Sequence, residues 1–164
     1  MIGKPRQYTP LTLNGRATVL STFSKAIAGS AALNYGLSAG ANCATTCAQH
    51  PQNGGQCYAA RLEGAYPSME RKGARHETAN PAKLTRLALA ELQARRQPVP
   101  WFRFSMAGSL PPKPRTLAGF PQALRDLVAY LVATTGPDRI HCPVETAGKA
   151  RSYRALLSPY GVTV

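Results

Sequence analysis

The run from Pro121 to Pro137, PQALRDLVAYLVATTGP, decides the class of fold. Leu124, Leu127, Val128, Leu131 and Val132 recur at the three- and four-residue spacing of one helical stripe, and Gly136-Pro137 is a stop signal. On its amino-terminal side stands Trp101-Phe102-Arg103-Phe104-Ser105-Met106, an aromatic-rich strand candidate that Gly108 ends. On the other side Arg139 to Val144 is a second strand candidate, Thr146 to Leu157 a helix, and Gly161 to Val164 the start of a third strand. Strand, helix, strand, helix, strand predicts an α/β fold: a small parallel sheet with right-handed βαβ crossovers. Such a sheet carries its working groups at the carboxyl ends of its strands, here Ser105 to Ser109 and Pro143 to Thr146. A sheet that small implies one of two things. Either the first half adds strands, or the chain is a partial or truncated (β/α) barrel.

Before Trp101 the pattern gives one more helix. Asn80 is an N-cap with Pro81 at the first helical position, and Leu84, Leu87, Ala88 and Leu92 follow at helical spacing to about Arg96. Glu91, four residues before Arg95, reads as part of an exposed ion pair, and Pro98 and Pro100 close the helix off. The preceding stretch is rich in Gly, Ala, Ser, Asn and Thr, and predicts loop and short elements, with one short strand at Ala17 to Phe23. The expected organisation is a single domain over residues 1–164, with a Gly- and Cys-rich half over 1–66 and a βαβ half over 67–164.

Composition bounds the class of partner. The chain has 164 residues, enough for one domain with a real core, and 44% of them are hydrophobic. No apolar run approaches the roughly 18 residues of a membrane span. Met1 to Pro10 carries Lys4 and Arg6 with no apolar block behind them, so a cytoplasmic protein of a prokaryote or phage-infected host is expected. Lys and Arg number 20 against 7 Asp and Glu, a formal charge of +13, and no acidic residue occurs from Met1 to Leu62. Such a chain draws polyanions, with nucleic acid the leading partner and an anionic membrane surface a weaker second. The candidate phosphate contacts are Arg71, Lys72 and Arg75, then Arg95 and Arg96, then Lys113 and Arg115; the alternative for each is solvated surface charge.

The cysteines are where the chemistry concentrates. Cys43, Cys47 and Cys57 lie within fifteen residues in a polar, Gly-rich stretch, and Cys142 stands apart. In a reducing compartment clustered thiols point to a metal or redox centre, because thiolate is a soft ligand for zinc and iron–sulfur clusters. The Cys43-x3-Cys47-x9-Cys57 spacing does not choose the metal. A fourth ligand is Cys142, His50, His141 or none, and an open position would take substrate, cofactor or water. Buried free thiols and disulfides are the two alternatives.

Arg103 and Ser105 alternate with Phe102 and Phe104 and share one face of their strand. An arginine in an apolar strand implies an anionic partner if it points inward, or an exposed edge strand if it does not. Gly108 and Ser109 allow a ligand to approach the backbone. Tyr58, Tyr66, Trp101 and Phe102 are candidates for base stacking, with core packing the plainer role for the last two. His76 with Glu77 has the composition of a general base, although a structural pair is the commoner meaning. Ala147-Gly148-Lys149 lacks the first glycine of a phosphate loop, and no zinc-protease motif or nucleophile elbow occurs.

Gly36-Leu37-Ser38-Ala39-Gly40 before the cysteines, Cys57-Tyr58-Ala59 after them, the Arg-rich segment through Arg75, and Phe102-Arg103-Phe104-Ser105 with Gly108 resemble the phage "gene product 88" family, from about Thr22 to Val144. The Cys…Cys…Cys-Tyr-Ala pattern in turn is similar to phage proteins related to radical S-adenosylmethionine enzymes. That resemblance implies a partial or full α/β barrel and a four-iron, four-sulfur cluster on Cys43, Cys47 and Cys57, with S-adenosylmethionine on the fourth iron. Tyr58, Gly108 and Ser109 would then touch the cofactor, and Arg103 and Ser105 would line the catalytic site. The x9 gap before Cys57 and the length of 164 residues both depart from that pattern. The expectation is a cysteine-ligated metal or iron–sulfur protein of phage or plasmid type acting on or near nucleic acid. The alternatives are a zinc-stapled nucleic-acid-binding module without enzymatic activity, and a protein that binds a host factor.

Overall fold

The computed structural model describes residues 10–13, 16–27, 30–35, 46–57, 61, 80–95, 99–104, 110–144 and 146–164. Five strands form one sheet in chain order: β1 (Pro10–Leu13), β2 (Arg16–Ile27), β3 (Ser30–Tyr35), β4 (Trp101–Phe104) and β5 (Ile140–His141). The β1–β2 and β2–β3 pairings are antiparallel, and β3–β4 and β4–β5 are parallel. The fold is therefore mixed α/β. Among the described residues the amino-terminal half adds three strands to the sheet. Its short-strand expectation at Ala17 to Phe23 is the middle of the twelve-residue β2.

The three helices of the described residues are α1 (Pro81–Ala94), α2 (Phe120–Thr134) and α3 (Ala147–Leu157). Each starts where local chemistry dictates. The Asn80 side chain accepts a hydrogen bond from Ala82 N at 2.8 Å ahead of Pro81, and Thr146 Oγ1 accepts one from Lys149 N at 3.2 Å. At the start of α2 the turn needs a left-handed residue, and Gly119 supplies it at φ 73°. Gly136, at φ 96°, ends α2 with its N–H shared between the Leu131 and Val132 carbonyls, both at 3.2 Å.

The helices share one core with one face of the sheet. Phe102 and Phe104 alternate onto that face and are fully buried, with ring centroids 5.0 Å apart in an edge-to-face arrangement. Leu20, Tyr35 and Ile140 join them from β2, β3 and β5, against Leu84, Ala88 and Leu92 of α1, Leu124, Leu127 and Leu131 of α2, and Tyr153, Leu156 and Leu157 of α3. Polar ties set the spacing of the layers. Leu20 N donates to Glu91 Oε2 at 3.1 Å, beside the break in the β1–β2 register where Thr12 faces Ala17 but Pro10 faces Ser21. The Tyr153 hydroxyl donates to the Pro111 carbonyl at 2.8 Å, and the Tyr130 hydroxyl to the Leu92 carbonyl at 3.4 Å.

Four expectations are corrected. Gly161 to Val164 is not a strand; Gly161 turns the chain at φ 73°, and the Arg154 guanidinium donates to the Val164 carbonyl at 3.3 and 3.2 Å, which holds the tail against α3. The third parallel strand is β3 instead. Glu91 is not half of an exposed ion pair but is buried, because its carboxylate takes the Leu20 amide. Leu87, counted in the apolar stripe of α1, is 46% exposed. Finally, β4 lies between β3 and β5, so Arg103 does not stand on an edge strand.

Tyr35 and Thr85 give a two-sided test of the packing. Thr85 Oγ1 donates to the Pro81 carbonyl at 2.8 Å, so the Tyr35 hydroxyl donates to Thr85 at 3.0 Å, and both residues are fully buried. Tyr35→Phe removes one hydrogen bond and leaves Thr85 its carbonyl partner, a loss of about 1 kcal/mol. Thr85→Val strands a buried phenol, at about 1–3 kcal/mol. Urea denaturation should rank Thr85→Val as the more damaging change, and the reverse order would contradict this hydrogen-bond assignment.

Candidate functional site

Because β3, β4 and β5 run parallel, the chain leaves Tyr35, Phe104 and His141 at the same end of the sheet. The register places Tyr35 opposite Phe104 and Arg103 opposite His141. The segment after Tyr35 leads to the cysteines, the one after Phe104 contains Ser105, Gly108 and Ser109, and the one after His141 begins with Cys142. This is the end at which open α/β sheets hold their ligands.

The cysteine segment is described from Thr46 to Cys57. The chain turns tightly there: His50 N and Asn53 Nδ2 both donate to the Cys47 carbonyl at 2.9 Å, and Gly55 N donates to the His50 carbonyl at 3.3 Å. A 3₁₀ turn at Pro51–Asn53 lies between. A Cβ at Gly55 would run into the backbone of Ala48 and Gln49, so only glycine lets the two limbs of the loop approach this closely. His50 is buried within the loop, and its Nδ1 accepts from Gln52 N at 3.2 Å. Cys47 and Cys57 are half-buried and carry free thiols, so neither forms a disulfide. Arg61 N donates to the Cys57 carbonyl at 3.0 Å.

Among the described residues no three His, Cys, Asp or Glu side chains gather into a metal-binding group. Cys43 lies outside those residues, as do Tyr58, Tyr66, Arg71, Lys72, Arg75, His76, Glu77, Arg96, Ser105, Gly108 and Ser109. The alternatives for a fourth ligand separate clearly. Cys142 is 1% exposed within the core, and burial pushes its thiol up to about 12 despite the opposing Lys149 charge, so it stays protonated. His141 is exposed and faces Arg103, not the core. Of the three only His50 belongs to the cysteine loop.

On the face of β4 away from Phe102 and Phe104, Trp101 and Arg103 are half-buried. Phe102 is core, which removes it as a base-stacking surface. The Arg103 Nε is shut off from solvent and has no hydrogen-bond partner among the described residues. Lys113 and Arg115 are exposed, and Arg95 caps α1 half-buried, its Nε shielded and without a hydrogen-bond partner among the described residues.

Sequence reasoning weighed His141 as a metal ligand and overlooked its pairing with Arg103. The signal was present in the matching triplets Phe102-Arg103-Phe104 and Ile140-His141-Cys142, each apolar, basic, apolar. In adjacent parallel strands that pattern sends the apolar residues to the helices and the basic ones to the other face. Lys149, in the sequence only the end of an incomplete phosphate-loop pattern, is 2% exposed in the first turn of α3.

Comparison of the chain with protein-family models, with curated proteins and with solved structures finds no match.

Two measurements follow from these environments. A thiol reagent at pH 8 should modify Cys47 and Cys57 in metal-free folded protein and spare Cys142 until urea unfolds it; rapid native labelling of Cys142 would contradict its burial. The second concerns His141, whose pKa is lowered from 6.5 by partial shielding from water and then by the Arg103 charge. The unfolded chain therefore takes up the proton more readily, so this stability is full above pH 6.5 and is lost as pH falls through the lower folded value. The urea midpoint should drop below pH 6.5 less steeply in His141→Gln than in the parent protein.

Proposed function

We propose that this chain is a cysteine-ligated metal protein that acts on or near nucleic acid, with its centre at the carboxyl end of the parallel strands. The observation that carries this reading is the shared exit of the cysteine, Ser105–Ser109 and Cys142 segments from one end of β3, β4 and β5. The donor set fits a metal: Cys47 and Cys57 are free, half-buried thiols at the two limbs of a hydrogen-bonded loop. Cys43, Cys47 and Cys57 would hold a four-iron, four-sulfur cluster, whose open iron supplies electron transfer and a binding position for S-adenosylmethionine. Arg103 and Ser105 would line the neighbouring site, with Tyr58, Gly108 and Ser109 toward the cofactor. The likeness to the phage gene product 88 family, and a partial-barrel form of the fold, belong to the same proposal.

Support for the nucleic-acid partner is electrostatic. Among the described residues Arg61, Lys83, Arg86, Lys113, Arg115, Arg139, Arg151 and Arg154 are exposed, against Asp126 and Asp138. Asp126 is already engaged by Gln122 Nε2 at 2.8 Å. A surface so biased gains affinity by displacing phosphate counterions.

The chemistry of the loop allows zinc as a second reading: His50 lies within it, its Nδ1 held by Gln52 N, and would have to join Cys47 and Cys57, with which it forms no metal-binding group among the described residues. Three cysteines and one histidine form a closed structural zinc site, and the protein would then bind nucleic acid without catalysis.

Elemental analysis of anaerobically purified protein distinguishes the two. Iron with acid-labile sulfide and a brown colour, lost in Cys47→Ser and Cys57→Ser, is expected; one zinc per chain would select the second reading, and neither metal would end both. Oligonucleotide affinity should fall steeply with salt, and Lys113→Ala with Arg115→Ala should flatten the logarithmic slope by about 0.7–0.9 per lost phosphate contact. Affinity indifferent to ionic strength would contradict the nucleic-acid assignment.

A further inference from the structure

We infer that Arg103 and His141 form a binding site for a single phosphate group on the face of the sheet opposite the three helices. The site stands on placement. Arg103 lies on β4, between β3 and β5, and His141 is its direct partner across the β4–β5 ladder. Cross-strand partners in register send their side chains to the same face, a few ångströms apart. Phe102, Phe104 and Ile140 occupy the opposite face in the core, so the two basic side chains are turned away from the helices.

The state of Arg103 makes this a site rather than a patch of surface charge. An exposed arginine is satisfied by water, and a buried one is ordinarily paired. Arg103 is half-buried, and its Nε is closed to solvent with no hydrogen-bond partner among the described residues. The described carboxylates are accounted for elsewhere: Glu91 holds Leu20 N, Asp126 binds Gln122, and Asp138 precedes β5 in a turn at its opposite end. A half-buried guanidinium with no counter-ion among the described residues is suited to take one from solution. The planar fork of arginine matches two phosphate oxygens, and the imidazole beside it offers a further N–H. His141 is exposed, which leaves the pair reachable from solvent. The charge of Arg103 acts on His141, which is independent support for their proximity.

This inference rests neither on the cysteine centre nor on the salt-dependent surface contacts, and the test separates it from both. Protein with its histidine ring nitrogens labelled is titrated with inorganic phosphate at constant ionic strength and constant pH, and the His141 resonances, assigned with His141→Gln, are followed by NMR. A saturable shift of His141 is expected, with chloride producing none. Arg103→Gln should weaken phosphate binding at least about tenfold, the scale of a lost charge-assisted hydrogen bond, while Lys113→Ala should leave it unchanged. A mononucleotide and inorganic phosphate should both shift His141, whereas the unphosphorylated nucleoside should not. Absence of a saturable His141 shift in the parent protein overturns the proposal even if Arg103→Gln fails to fold. So does an unaltered affinity in a folded Arg103→Gln protein, or a shift obtained only with long oligonucleotides.

Discussion

The hydroxyl of Tyr35 is the point at which the two layers of this protein are locked together. Tyr35 is the last residue of β3, and through Thr85 it is linked to the Pro81 carbonyl in the first turn of α1. Its ring meets Phe104, the last residue of β4, edge to face at 5.9 Å. One side chain thus aligns the carboxyl ends of two parallel strands and fastens them to the helix that follows the cysteine segment. A phenol buried this deeply stays protonated, since burial raises it well above its ordinary range, so the link holds across accessible pH. The Leu20–Glu91 hydrogen bond does for β2 what Tyr35 does for β3. Both contacts end on α1, which therefore sets the position of the antiparallel strands as well as the parallel ones.

The helices were legible because their signals are local. Asn80-Pro81, the apolar stripe of α2, Gly136-Pro137 and Thr146 act within a few residues, and each lies where the spacing places it, to within about two positions at the ends. The sheet was less legible because pairing is not local. Nothing in the Ala-, Ser- and Thr-rich stretch before Tyr35 announces three strands, since their partners are chosen by tertiary contact. The same limit explains Glu91, which periodicity assigns to solvent until a strand amide arrives from 71 residues away. At the candidate site, the cysteines and Arg103 could be picked out as types out of place. The burial of His50, the core position of Cys142 and the pairing of Arg103 with His141 depend on how the chain folds back.

The sheet presents two chemically distinct faces. One is aromatic and aliphatic and carries the helices, and on the other stand Trp101, Arg103 and His141. Strand alternation alone creates this division, and the parallel register sharpens it by setting the basic residues of β4 and β5 side by side. The segment that leads toward the cysteines leaves the sheet at the carboxyl end of β3. The cysteine loop's own rigidity comes from Gly55 and the doubly engaged Cys47 carbonyl.

The outermost strands have a bearing on how the protein tolerates crowding by its own copies. A strand at the margin of a sheet offers unpaired amides on which another chain can add, and long flat margins seed aggregates and fibrils. Here β5 is two residues long, and β1 is four residues long, opens with a proline that has no amide hydrogen, and breaks register against β2. Among the described residues, both outermost strands are short templates. Together with the mutual repulsion of chains at a formal charge of +13, this geometry disfavours sheet-to-sheet growth at high protein concentration.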